Sequence, residues 1–180
     1  MTTPVSLTPL VCLRCQTPIP AQPDEIAWVC DPCKQGQLLT EEHGLQALEV
    51  QFMANIPAAG RGRPFWVAQG RVTMGERRTY HGDQSRDSQA FWSALRIFYV
   101  PAYALSLDAF INLGTQMLLQ PPALAGGGSP TAFLPVTVLP EEVRPLAEFI
   151  VLGLEADRKD KLRSLEFQLQ HSEAQLWILP

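Results

Sequence analysis

Cys12-Leu13-Arg14-Cys15 and Cys30-Asp31-Pro32-Cys33, fourteen residues apart, decide how this 180-residue chain is read. A Cys-x2-Cys pair lets two sulfurs of one tight turn converge on a single ion, and a second such turn completes a tetrahedron. The separation is one residue short of the usual range of about 15–20. All four cysteines of the chain fall in these two pairs and none is left over. Four thiolates suit zinc, at a bond length of about 2.3 Å, and leave no open position for water, so a site of this kind is structural and not catalytic. Iron in a rubredoxin-like centre takes the same ligands. Two redox dithiols, or disulfides in an exported protein, are the other readings of four cysteines; the first needs a βαβ context that is absent around Cys12.

The insert between the pairs holds Pro18, Pro20, Pro23 and Asp24, then the apolar run Ile26-Ala27-Trp28-Val29 entering the second pair. That is strand, turn, strand, with both cysteine turns at one end of a hairpin. Over about residues 10–40 the chain resembles zinc-ribbon domains. Ribbon turns commonly carry Gly after the second cysteine; Gln16 and Lys34 stand there instead, and both tolerate positive φ less well than Gly. The whole chain, with its Pro64-Phe65-Trp66 strand and its terminal Leu176-Trp177-Ile178-Leu179-Pro180, is similar to uncharacterised bacterial zinc-ribbon proteins. The resemblance implies Zn2+ held by Cys12, Cys15, Cys30 and Cys33 and brings no activity with it. A hairpin this small has little core, so the metal is expected to carry its folding, with chelation melting the N-terminal segment and sparing the rest.

Residues 45–180 read as an α+β domain with a mostly antiparallel sheet and two helices on one face. Leu48, Val50 and Phe52 alternate with polar neighbours as in a strand. Ala58–Pro64 is a loop. Phe65–Met74 continues as a strand, Gly75-Glu76 is a tight turn, and Arg77–His81 returns. Gly82–Gln89 is a long turn, and the middle of Phe91–Tyr103 is a buried strand ended by Pro101. Ser106 caps a helix whose apolar face is Leu107, Phe110, Ile111, Gly114, Met117 and Leu118. Pro140-Glu141-Glu142 opens a second, with the stripe Val143, Leu146, Ala147, Ile150, Val151, Leu154 and the i,i+4 pairs Arg144–Glu148 and Glu155–Lys159. Ala125–Pro130 is a flexible loop, followed by a short strand over Ala132–Leu139. Leu165–Gln170, the turn His171-Ser172-Glu173 and Gln175–Leu179 form a hairpin.

Composition narrows the function. Charged residues are 18%, apolar residues 46% and the net charge is −4, which excludes a disordered chain and argues against a strongly basic nucleic-acid binder. The first twenty residues lack the pattern of a signal peptide, and no window is apolar enough to span a membrane, so a soluble, cytoplasmic protein is expected. Residues 54–100 nevertheless carry seven arginines against three acids. Arg61, Arg63, Arg71, Arg77 and Arg78 near Trp66 could form a face that stacks bases and neutralises phosphates. Residues 1–53 carry two basic against six acidic side chains, and a zinc tetrathiolate adds about two more negative charges, so the cysteine unit would be repelled by phosphate. No catalytic motif accompanies the histidines, and Ala125-Gly126-Gly127-Gly128-Ser129-Pro130 lacks the Lys-Ser/Thr of a P-loop. The expectation is a non-enzymatic zinc-ribbon adaptor or scaffold subunit that meets a protein partner, with a homo-oligomer open. The alternative is a nucleic-acid-binding accessory protein using the arginine and aromatic face.

Overall fold

The computed structural model describes residues 8–57 and 60–180; Ala58 and Ala59 of the expected loop, and the first seven residues of the segment read for a signal peptide, lie outside them. Two sheets form. The smaller contains β1 (Ala27–Val29), β2 (Gly36–Thr40) and β3 (Gly44–Leu48), antiparallel in that order. The polar link at 40–44 is the tight turn that joins its second and third strands, with Thr40 paired to Gly44 and Gly44 at φ 67°.

The larger sheet is built around β5 (Arg63–Thr79). One edge of β5 pairs with β6 (Arg96–Pro101). The other edge pairs with β7 (Leu162–His171) over Gly70–Thr79 and with β8 (Gln175–Leu179) over Arg63–Val67. β4 (Val50–Phe52) lies parallel to β8. The expected C-terminal hairpin is therefore not one: β7 and β8 run end to end along a single neighbour. The break at 172–174 is bridged by Ser172, whose N–H donates to the Gln69 carbonyl (2.8 Å) while its hydroxyl accepts the Gln69 N–H (3.1 Å).

Phe65 to Ala68 form an unbroken buried run because both faces of the sheet are covered there. Phe65 and Val67 join Tyr99, Leu179 and Met53 on one face; Trp66 and Ala68 join Phe98, Val100, Leu176 and Ile178 on the other. Beyond Ala68 the strand alternates, with Val72 buried between exposed Arg71 and Thr73. The Gly75-Glu76 pair is not a turn. It is a β-bulge, two residues facing Glu166 alone, and the strand continues to Thr79. A bulge shifts the alternation by one residue, and Arg77 consequently points to the side of Val72 and Met74.

Among the described residues three α-helices accompany the sheet: α1 (Ser85–Trp92), α2 (Leu107–Leu119) and α3 (Val143–Ala156). The first replaces the expected long turn. Only Ser88 and Trp92 of it are buried, and its N-cap Gln84 makes no side-chain capping bond, so no apolar period or cap marks it in the sequence. Ser106 caps α2 as expected, accepting from the Ala109 N–H. The two longer helices do not share one face. α3 packs Val143, Ala147, Ile150 and Val151 over the Trp66 side, whereas α2 lies along β6 and contributes Phe110 and Leu118 to that cluster and Leu113 and Met117 to the opposite one. α2 and α3 approach closely at two glycines: a Cβ on Gly114 would sit 2.4 Å from Ile150 and one on Gly153 2.3 Å from Ile111.

Residues 120–139 form no regular strand; Phe133 and Val136 make isolated bridges to Gly62 and Ala27. The glycine-rich residues 125–130 form a loop, mostly exposed, in which the Gly128 N–H donates to the Phe52 carbonyl (3.0 Å), and a Cβ there would meet the Met53 carbonyl oxygen at 2.2 Å. Further on, Val136 ties the small sheet to the large one, and Ala27 and Leu38 belong to the same core as Trp66 and Ile150.

Candidate metal centre

Each cysteine pair sits in a tight turn, and the two turns have the same bonding. The Cys12 N–H donates to the Thr17 carbonyl (2.8 Å) and the Gln16 N–H to the Cys12 carbonyl (2.9 Å). The Cys30 N–H donates to Gln35 (2.9 Å) and the Lys34 N–H to Cys30 (2.8 Å). The first turn is closed by a bridge between Val11 and Pro18, the second by β1 and β2. Closing such a turn requires the residue after the second cysteine to be left-handed. Gln16 and Lys34 are, at φ 60° and 59°. A left-handed residue with a Cβ costs roughly 1–2 kcal/mol, partly offset on replacement by glycine's greater freedom in the unfolded chain. Gln16→Gly and Lys34→Gly are each expected to raise stability by about 0.5–1 kcal/mol in denaturant unfolding. A loss from either would show that its side chain contributes contacts beyond the turn.

The turns bring the four sulfurs together. Sγ of Cys12 lies 3.5 Å from that of Cys33, and Sγ of Cys15 lies 3.4 Å from that of Cys30. All four are within 4.8 Å of one another, and none is in a disulfide. A tetrahedron with arms of 2.3 Å has edges of about 3.8 Å, so the donor set fits one tetrahedral metal ion. Cys12 and Cys30 are buried, Cys33 half-buried and Cys15 exposed.

Four sulfurs this close titrate together. The Thr17 hydroxyl and N–H hold the Cys15 thiol down to about 6. Burial raises the Cys12 thiol, but the N–H groups of Cys15 and Arg14 and the adjacent thiols outweigh it and bring it below its ordinary value. The Cys33 N–H lowers the Cys30 thiol, yet burial and the sulfurs of Cys15, Cys12 and Cys33 push it up to about 12. The Gln35 N–H lowers the Cys33 thiol, and burial with Cys12 and Cys15 raises it overall.

Gln37 is the residue of this site that the sequence does not reveal. It stands on β2 opposite Trp28 and is fully buried. Its Oε1 accepts the Leu13 N–H at 2.8 Å, inside the first cysteine turn. It thus holds the first turn against the sheet that carries the second. Nothing in a lone glutamine between Gly36 and Leu38 signals this. Gln37→Met, similar in size but with no acceptor, is expected to weaken metal binding about 10-fold or more, read by chelator competition; an unchanged affinity would assign the residue to packing alone.

The arginine and aromatic residues are not gathered into one exposed face. Trp66 is buried and its Nε1 donates to the Val138 carbonyl (2.7 Å). Arg77 is buried between Glu155 and Asp160. Arg78 pairs with Glu76 (2.8 Å), Arg61 donates to the Phe133 carbonyl (3.1 Å) and Arg63 to the Pro180 carbonyl (2.7 Å). Arg71 is exposed beside Thr73. The bulge and the two-sided core are the reasons: one turns Arg77 inward, the other buries Trp66.

No family model, no curated protein and no solved structure matches the chain. Among the described residues, no helix is long and apolar enough to cross a membrane.

Proposed function

We propose that the N-terminal unit is a zinc ribbon holding one structural Zn2+ through Cys12, Cys15, Cys30 and Cys33, and that the protein is a non-enzymatic adaptor or scaffold subunit. The observation that carries this is the convergence of four sulfurs within 4.8 Å. Four protein donors fill a tetrahedral zinc and leave no position for a reacting water. Soft thiolates favour zinc or iron over harder ions, and iron would announce itself by visible absorption.

Contact with a protein rather than with nucleic acid is supported by charge and by surface. The cysteine unit is acidic, and the arginines of residues 61–78 are mostly engaged within the chain. Beside the second cysteine turn lies a cleft of about 530 Å³ whose wall mixes Pro18, Pro20, Trp28, Pro32 and Phe133 with the charged Glu25, Asp31 and Lys34, a surface that a partner segment could enter.

Elemental analysis of protein purified under reducing conditions is expected to give one zinc per chain, and none for a chain with Cys12 and Cys30 replaced by serine. Fluorescence polarisation with single-stranded and duplex oligonucleotides at low salt should show little binding. Tight binding that falls steeply with salt and is lost in Arg71→Ala would instead make the protein a nucleic-acid accessory factor.

A further inference from the structure

The outward side of α3 carries a second apolar stripe that the fold leaves uncovered. Pro145, Phe149, Leu152 and Ala156 recur at i, i+4, i+7 and i+11, and all are exposed, Phe149 by 44% and Leu152 by 38%. They lie opposite the buried Val143, Ala147 and Ile150. α2 widens the patch: its antiparallel register, with Gly114 at Ile150 and Gly153 at Ile111, brings exposed Leu119 level with Pro145. A surface helix normally presents polar residues on this side, and contiguous exposed apolar surface marks an interface.

We propose that this face joins two copies of the chain, α3 pairing antiparallel with α3 of the second copy about a two-fold axis between Phe149 and Leu152. The stripe is self-complementary about that point. The axis sets Phe149 against Leu152 of the second copy, and small Ala156 against Pro145, so one patch serves both partners as a two-fold interface requires. Charge selects the same arrangement. Exposed Glu141 and Glu142 precede the helix, whereas exposed Asp157, Lys159 and Lys161 follow it, giving −2 at one end and +1 at the other. Arg144 adds nothing to either end because Glu148 neutralises it at 3.2 Å. Antiparallel pairing brings opposite charges together at both ends and opposes the helix dipoles favourably; parallel pairing would bring like charges together.

Sedimentation velocity from micromolar to near-millimolar protein is expected to show a monomer–dimer equilibrium. Phe149→Asp, at an exposed position, should raise the dimer dissociation constant about 30-fold or more while leaving the melting temperature of dilute protein unchanged. Lys159→Glu should weaken the dimer and Glu141→Lys in the same chain should restore it. The two positions flank opposite ends of a helix roughly 20 Å long, so rescue can act only between copies. A monomer at every concentration, a dimer indifferent to Phe149→Asp, or no rescue by the charge swap would overturn the proposal.

Discussion

Replacing Glu155 with alanine is expected to cost the fold about 3–5 kcal/mol, a fall in melting temperature on the order of 10 °C for a chain of this size. The carboxylate is wholly buried on α3. One oxygen accepts Trp92 Nε1 from α1 (2.8 Å) and Arg158 Nε (2.8 Å), and the other accepts Arg77 Nε from β5 (3.0 Å). Arg77 turns its remaining nitrogens to Asp160, at 2.9 Å for Nη2, and Asp160 also accepts the Gln84 N–H (2.8 Å) at the start of α1. Two cations and two anions balance. Removing this anion leaves two cations to the single carboxylate of Asp160 and strands the Arg77 Nε and the buried Trp92 Nε1 without acceptors, and that penalty exceeds the loss of the bonds themselves. The matched control is Glu148→Ala, which breaks an exposed pair and should change stability by no more than about 0.5–1 kcal/mol. Equilibrium denaturation of both variants decides the matter, and a loss below about 1 kcal/mol for Glu155→Ala would mean the network is merely tolerated.

The same network sets an acid limit. Hydrogen bonds from Arg77 hold the Asp160 carboxyl at about 2, below its unfolded value near 3.9. A depressed acid contributes stability that is full above the unfolded value and is lost as pH falls through the folded one. The wild-type chain should therefore lose stability between about pH 4 and 2, and Asp160→Asn should flatten that part of the profile.

Removal of the proposed metal is the second large effect expected. Structural zinc in zinc-finger peptides binds with an apparent free energy of about 10–16 kcal/mol. Chelation under reducing conditions is expected to abolish hydrogen-exchange protection at the Cys12, Gln16, Cys30 and Lys34 amides, which close the two turns. Protection in β5 and α3 should persist but weaken. The small sheet is not an independent appendage: Ile26 donates to the Val136 carbonyl (2.8 Å), and Ala27 and Leu38 lie in the principal core. Chelation that leaves the turn amides protected would show that the sheet folds without a metal.

Much of this was legible because the signal was local. Ser106 and the stripe from Phe110 to Leu118 specify α2, since capping and a 3.6-residue period operate within one helix. The short-range rule that glycine or proline punctuates the chain held at residues 125–130, which form a loop, and misled at Gly75-Glu76. There glycine serves close backbone approach to Glu166 within a continuing strand. The terminal strands misled for a related reason. His171-Ser172-Glu173 has turn composition, but Gln69 on a distant strand supplies the bonds that keep the chain straight.

Residue chemistry and spacing alone determined that four sulfurs are available in two tight turns, because each Cys-x2-Cys geometry is settled within a few bonds. Only the tertiary structure decided how those turns meet, through the Gln37 anchor and the Val136 bridge. It likewise decided that Arg77 is a buried ion-pair partner, because burial and strand parity depend on groups separated by many residues along the chain.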